Sequence, residues 1–294
     1  MGHPEQVDRL RVIEDSLAKS NFDTLLRISA PVGTMDQVRL CHPQDYVLQI
    51  KNACPNHGYV TLDGDTHVSV GSFDAAMRAV GGVCSAIDLV IGGEARNAFC
   101  ATRPPGHHAE TDKSKGFCLF GTVSIGAKYA MKKYGLSRAA IIDFDVHHGN
   151  GTQDLVWNEP NIMFVTSQQM PLWPGTGEVS ETGAHNNVIN LPLKPYSSGA
   201  ELMDAYQHSI FPKLAAYKPE ILLISAGFDA HIKDPLANLN FSTEDFKNIT
   251  KMLCEFADKH CHGRVVSTLE GGYDLPALAD SVAAHVNVLM EHAK

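Results

Sequence analysis

The chain has 294 residues, 44% of them hydrophobic, enough to enclose a sizeable core. Its 33 acidic residues outnumber 24 basic ones, a formal net charge of −9, which argues against the basic surface a direct nucleic-acid binder needs. Seven cysteines without a CxxC pair, an N-terminus (MGHPEQVDRLRV) without an apolar leader core, and no apolar run approaching the ~18 residues of a bilayer span predict neither a disulfide scaffold nor a membrane anchor, and place the chain in a reducing cytoplasm.

In chain order, Val7 to Ser20 and Ser72 to Ile87 read as helices and Asn97 to Thr102 as a strand. Thr122 to Tyr134 reads as a helix with Ile125, Tyr129 and Lys132 on one face. Five short, wholly apolar runs follow at strand length: Arg138 to Phe144, Ile162 to Ser167, Asn187 to Leu191, Glu220 to Ala226 and Arg264 to Leu269. Runs without polar alternation fit parallel strands covered on both faces. Between them lie helical patterns. Ala200 to Tyr217 places Leu202, Tyr206, Ile210 and Leu214 at intervals of four, and Thr243 to His260 starts after Ser242 as N-cap with Asp245 in the place of the usual Glu of a capping box. Ala277 to Glu291 closes the chain. No linker, repeat or low-complexity run is present, so residues 1–294 are predicted to form one three-layer open α/β domain with a mainly parallel central sheet.

In open α/β sheets, ligands bind beyond the carboxyl ends of the strands. Four strand ends here carry His, Asp or Tyr beside glycine: RPPGHHA, DVHHGNG, GFDAH and EGGYD. All four are expected to open on one rim. Residues i and i+2 of a strand share a face, so Asp143, Asp145 and His147 point the same way if extended geometry continues. Two carboxylates and an imidazole in one desolvated place call for a cation; taken alone, however, each Asp could equally cap a turn. Asp145 and His147 together with Asp229 offer three N/O ligands and an open position, the pattern of a catalytic rather than structural zinc site. His107 and His108 sit on a loop stiffened by two prolines, as candidates for general base and general acid, or as plain turn residues. Tyr273 is either a packed helix-start residue or a phenol directed at a developing oxyanion.

Together these motifs resemble the zinc-dependent histone deacetylase family, of the arginase/deacetylase fold. The resemblance runs through His3-Pro4-Glu5, Arg103–Ala109, GFCLF (Gly116–Phe120), DFDVHHGNGTQ (Asp143–Gln153), PGTG (Pro174–Gly177), Ala226–Ala230 and Glu270–Asp274. It implies that Asp145, His147 and Asp229 bind Zn²⁺ and that His108 is general base and then acid, with His107 mainly electrostatic. It also implies that Asp143 orients His107, Asn150 orients His108, and Tyr273 donates to the oxyanion. Gly116, Phe117 and Trp173 would line an acyl-lysine tunnel, and a potassium ion would be held by Asp143, Asp145 and His147 with Thr166 and Ser167. The implied reaction is hydrolysis of acetyl-lysine in a peptide or protein to acetate and a free amine.

Departures from the family pattern matter as well. The initial strand that usually precedes HPE is expected to be missing or shortened. Asn150 stands where some branches have Asp, which places the chain on the class II side and should leave His108 the less basic. Gly149 stands where the two-manganese arginases carry a carboxylate, which favours one metal. Acetylpolyamine amidohydrolases share every motif but carry an acidic rim residue; the matching position here is the apolar Leu236, favouring acyl-lysine substrates. A noncatalytic acyl-lysine-binding module is the rival of another class. His148 is read as structural, and self-association into a homo-oligomer is left open by the sequence.

Overall fold

The computed structural model describes residues 2–293. The N-terminal part consists of helices α1 (Asp8–Leu17), α2 (Met35–Val38) and α3 (Gln44–Ala53), and a hairpin of β1 (Tyr59–Thr61) and β2 (His67–Ser69). Then come α4 (Ser72–Gly92), β3 (Asn97–Cys100), α5 (Thr122–Tyr134), β4 (Ala139–Asp143), α6 (Asn150–Val156), β5 (Ile162–Gln169) and β6 (Val188–Leu193). The chain ends with α7 (Gly199–Ala205), α8 (Phe211–Tyr217), β7 (Leu222–Ala226), α9 (Thr243–His260), β8 (Val265–Leu269) and α10 (Leu275–Glu291).

Six parallel strands form the central sheet in the order β3-β8-β7-β4-β5-β6. Strands β4, β5, β7 and β8 are buried along their whole length because both faces are covered, whereas the edge strand β6 is buried only in part. Successive residues alternate between two cores: Ile142, Val165 and Ile224 join α1, α9 and α10 on one side, while Ile141, Phe164 and Leu223 join α4 and α5 on the other. By length and apolarity alone α4 could cross a membrane, contrary to the reading of the sequence; its Val80, Val83 and Ile87 are core residues, which accounts for that apolarity.

Three elements differ from expectation. Ala200 to Tyr217 is not one helix: a π turn, Tyr206–Ile210, separates α7 from α8, where Pro212 has no N–H to give to the preceding turn. The predicted stripe survives, with Leu202, Tyr206, Ile210 and Leu214 all buried. On α5, Lys132 is exposed, and the buried face is Val123, Ile125, Ala127 and Ala130. The first strand of the sheet stops at Cys100, before the Arg103–Pro105 turn. Ser242 does open α9, its N–H donating to the Asp245 carboxylate at 2.8 Å.

His285 of α10 bridges α9 and β8. Its Nδ1 lies 2.7 Å from Thr250 Oγ1 and its Nε2 2.9 Å from Ser267 Oγ. Thr250 donates its own proton to the Phe246 carbonyl, so Nδ1–H is the donor to Thr250 and Nε2 accepts from Ser267. Burial pushes the imidazole down to about 3. The unfolded chain therefore takes up this proton first, near the ordinary histidine value, and the stabilisation present above that value is lost as pH falls toward the folded one. The stability advantage of the wild type over His285→Leu should shrink below about pH 6.5 by up to about 1.4 kcal/mol per pH unit, read from urea midpoints between pH 7 and pH 4.5. A gap that stays constant with pH would contradict the neutral buried state.

Candidate active site

Strand β4 ends at Asp143, and the chain then bends. The Asp143 carboxylate accepts the Asp145 N–H at 3.0 Å, and the Asp145 carboxylate accepts the His147 N–H at 2.9 Å. The expected continuation of extended geometry is thus replaced by two Asx turns, which deliver the side chains to the site in place of the strand pleat. Asp229 arrives from the loop after β7, one oxygen accepting the Val146 N–H at 2.9 Å. His147 Nδ1 lies 3.1 Å from Asp229 Oδ2 and 3.3 Å from Asp145 Oδ1, and the three donor atoms fall within 4.8 Å of one another. The surrounding backbone is cut to fit. A Cβ at Gly227 would stand 2.0 Å from Asp145 Oδ2, and one at Gly271 would stand 2.2 Å from Asp229 Oδ2.

The electrostatics test whether a cation belongs there. Burial, then the neighbouring Asp145 charge, holds Asp229 above the usual carboxylate range. Burial opposes charge on His147, yet the two carboxylates outweigh it and push the imidazole up to about 10. Two converging buried carboxylates with one imidazole nitrogen aimed between them suit a divalent cation.

The histidine pair lies alongside, with ring centroids 3.9 Å apart. His107 Nδ1 is 2.9 Å from Asp143 Oδ2, and His108 Nδ1 is 2.8 Å from Asn150 Oδ1. The two are driven apart in basicity. Burial opposes charge on His107, but Asp145 and Asp143 raise it well above the ordinary value. Burial, followed by repulsion from His107 and His147, puts His108 well below it. The split leaves His108 the neutral member of the pair, as a general base must be before it takes a proton.

Tyr273 closes the far side. Its backbone N–H donates to Asp234 at 2.8 Å, and the Arg9 guanidinium sits 4.9 Å from its ring centroid. Burial raises the phenol well above 10, with Arg9 working against that, so the hydroxyl keeps its proton. Asp65, His108, Gly116, Phe117, His147, Leu172, Trp173, Leu236 and Tyr273 line one cavity, so the predicted tunnel residues Gly116, Phe117 and Trp173 and the rim residue Leu236 are brought together. Gly116 packs on the His108 ring, where a Cβ would be 2.4 Å from Cδ2. Phe117 holds a φ of 67°, rare for a bulky residue, and its N–H is tied to Thr66 Oγ1 at 3.0 Å.

The proposed potassium residues converge only in part. Ser167 Oγ donates to the Asp143 carbonyl at 3.2 Å, whereas Thr166 Oγ1 turns to Gln168 Oε1. His148 is held by Thr176 Oγ1 at 2.7 Å and Gln153 Oε1 at 3.1 Å, away from the cavity. At Gly149 a Cβ would lie 2.4 Å from Asp143 Oδ2, so the position has no room for any ligating side chain.

Several residues around the site carried no role in the sequence reading. Glu270 accepts the Gly106 N–H at 2.6 Å, the His107 N–H at 3.2 Å and the Ser225 hydroxyl at 3.0 Å, fixing the loop that presents the two histidines. Fully buried Arg9 donates to the Gly272 and Glu270 carbonyls at 2.7 and 2.5 Å. Glu5 accepts from both Arg9 and Arg103. The one available signal was an acid directly followed by two glycines at a strand end.

Comparisons with known proteins agree with this geometry. The family model of the histone deacetylase domain matches residues 3–289. "Uncharacterized protein slr0245" of Synechocystis sp. is 40% identical over 292 residues, 98% of this chain and 94% of that protein. "Histone deacetylase 10, chloroplastic" of Oryza sativa subsp. japonica is 36% identical over 301 residues, 96% of this chain and 68% of that protein. The crystal structure of the HDA15 HD domain superposes with a TM-score of 0.93 at 30% identity, covering 99% of this chain and 85% of that one. With this fold, this cluster of donors and these relatives, the chain belongs to the histone deacetylase family of amide hydrolases.

Proposed function

We propose that the protein is a zinc-dependent deacetylase that hydrolyses the acetamide of acetyl-lysine in peptides or proteins. The observation that carries this reading is the placement of His108 and Tyr273 around one cavity that is also lined by His147, whose imidazole clusters with the Asp145 and Asp229 carboxylates. Those three residues would hold zinc, which when bound supplies a Lewis acid that polarises the acyl carbonyl and acidifies water. His108 Nε2 takes the proton of the attacking water as its oxygen bonds to the acyl carbon. Tyr273 donates a hydrogen bond to the developing oxyanion. As the C–N bond breaks, His108 returns the proton to the leaving amine, giving acetate and free lysine. Asp143 keeps His107 oriented beside the reacting atoms, and Asn150 keeps His108 Nδ1 as a donor. Gly116, Phe117 and Trp173 enclose the acyl-lysine stem. A potassium ion beside Asp143 and Ser167 is part of the same reading, since it would offset the second buried carboxylate.

The apolar Leu236 at the rim favours a peptide. One observation supports acetylpolyamines as a second substrate class: Asp65 reaches the same cavity from the β1–β2 hairpin, one oxygen 3.2 Å from the Gly116 nitrogen. The deciding measurement is kcat/KM for an acetyl-lysine peptide against an N-acetylated polyamine, with zinc and potassium present. The peptide is expected to lead by about tenfold, the worth of one differential contact at the rim; a lead for the polyamine reverses the assignment. Failure of the zinc-loaded protein to release acetate in a chelator-sensitive way would leave a noncatalytic binding module.

A further inference from the structure

Asn150 raises a question that its contact with His108 does not answer. A side-chain amide can present either oxygen or nitrogen to an imidazole, and only one choice leaves His108 Nε2 free to accept a proton. The surroundings of Asn150 fix the choice. Its Nδ2 side faces the Glu110 carboxylate at 2.7 Å and the His108 carbonyl at 3.4 Å. Both are acceptors, so the nitrogen must lie there, the oxygen must face His108 Nδ1, and Nδ1 must carry the hydrogen. The short contact to a charged acceptor is the stronger of the two restraints.

Glu110 is itself well placed to do this. Its N–H donates to the Lys113 carbonyl at 3.0 Å in a small antiparallel bridge, which fixes the backbone just after the histidine pair. Lys115 and Lys113 lie 3.7 and 3.9 Å from its carboxylate and help to hold it in place. The result is a line of carboxylate, amide and imidazole from Glu110 through Asn150 to His108.

We propose that Glu110 is a positioning residue for the hydrolysis, acting through Asn150 to lock the tautomer of His108. It supplies, at one remove, the carboxylate that Asn150 lacks. The inference rests on the proposed deacetylase reaction, and it is tested on the zinc-loaded protein with an acetyl-lysine peptide. Glu110→Ala should lower kcat about tenfold, the loss of one charge-assisted hydrogen bond, with KM within about twofold and zinc content unchanged. Glu110→Gln retains an acceptor for Asn150 Nδ2 and should stay within about threefold of wild type. The same substitutions are then made beside Asn150→Asp. A carboxylate at position 150 needs no orienting and is repelled by Glu110, so Glu110→Ala should there be neutral or raise kcat relative to the Asn150→Asp protein. Equal losses in both backgrounds would assign Glu110 to general loop stability and overturn the proposal. So would an Ala variant within twofold of wild type, or a Gln variant as impaired as Ala. Where Asn150→Asp alone is too weak to assay, the Ala-against-Gln contrast in the native background decides. A wild-type protein that releases no acetate would sink the deacetylase reading instead, a result distinct from all of these.

Discussion

Asp229→Ala is expected to lose stoichiometric zinc and, with it, roughly four orders of magnitude in kcat/KM, the equivalent of several kcal/mol of transition-state stabilisation. The effect on stability should run the other way in the more conservative Asp229→Asn. That variant keeps an oxygen for the Val146 N–H and removes one of two negative charges from a buried pair. Without metal, it should melt at or above the wild-type temperature, because a buried like-charge conflict has been relieved. With zinc, only the wild type should gain, by about 4 kcal/mol at a thousandfold excess over the dissociation constant. Metal content and melting curves with and without zinc read both signs. Full zinc stoichiometry and full activity in Asp229→Ala would remove the residue from the metal site.

Tyr273→Phe should reduce kcat by about 10² to 10³, the loss of one oxyanion donor, and leave KM within about threefold. Phenylalanine preserves the ring between Arg9 and Phe117, so the difference isolates the hydroxyl. Because burial holds the phenol well above its usual range, the hydroxyl stays protonated in mildly alkaline solution. The loss should therefore be the same at pH 7 and pH 9. Equal turnover by the two proteins would exclude the donor role.

The parallel sheet and the four strand ends were readable because a strand covered on both faces leaves a wholly apolar run, and a titratable residue beside glycine just after such a run stands out. The side chains of Asp145, His147 and Asp229 converge as that reasoning placed them, although through Asx turns and not through the strand pleat. What could not be read depends on contacts between distant segments. Nothing local distinguishes Arg9, on an ordinary amphipathic helix, from a solvent-facing arginine, and nothing in the sequence places Glu110 against Asn150. The hairpin holding Asp65 is short and mostly exposed, so it leaves no hydrophobic pattern. The π turn before Pro212 kept its stripe of apolar residues, and periodicity alone could not reveal it.

Arg9 also bears on how the molecule assembles. Its hydrogen bonds to Gly272 and Glu270 join positions 263 and 261 residues apart, and Glu270 in turn holds the loop at Gly106 and His107. Such closures are among the slowest in folding, because the chain entropy between the ends must be given up before the contact forms. During synthesis the phenol, the histidine pair and the guanidinium cannot meet until the last strand and the residues just after it have left the ribosome. Hydrolytic competence should then switch on in one late event, and fragments ending before residue 270 should show no graded activity.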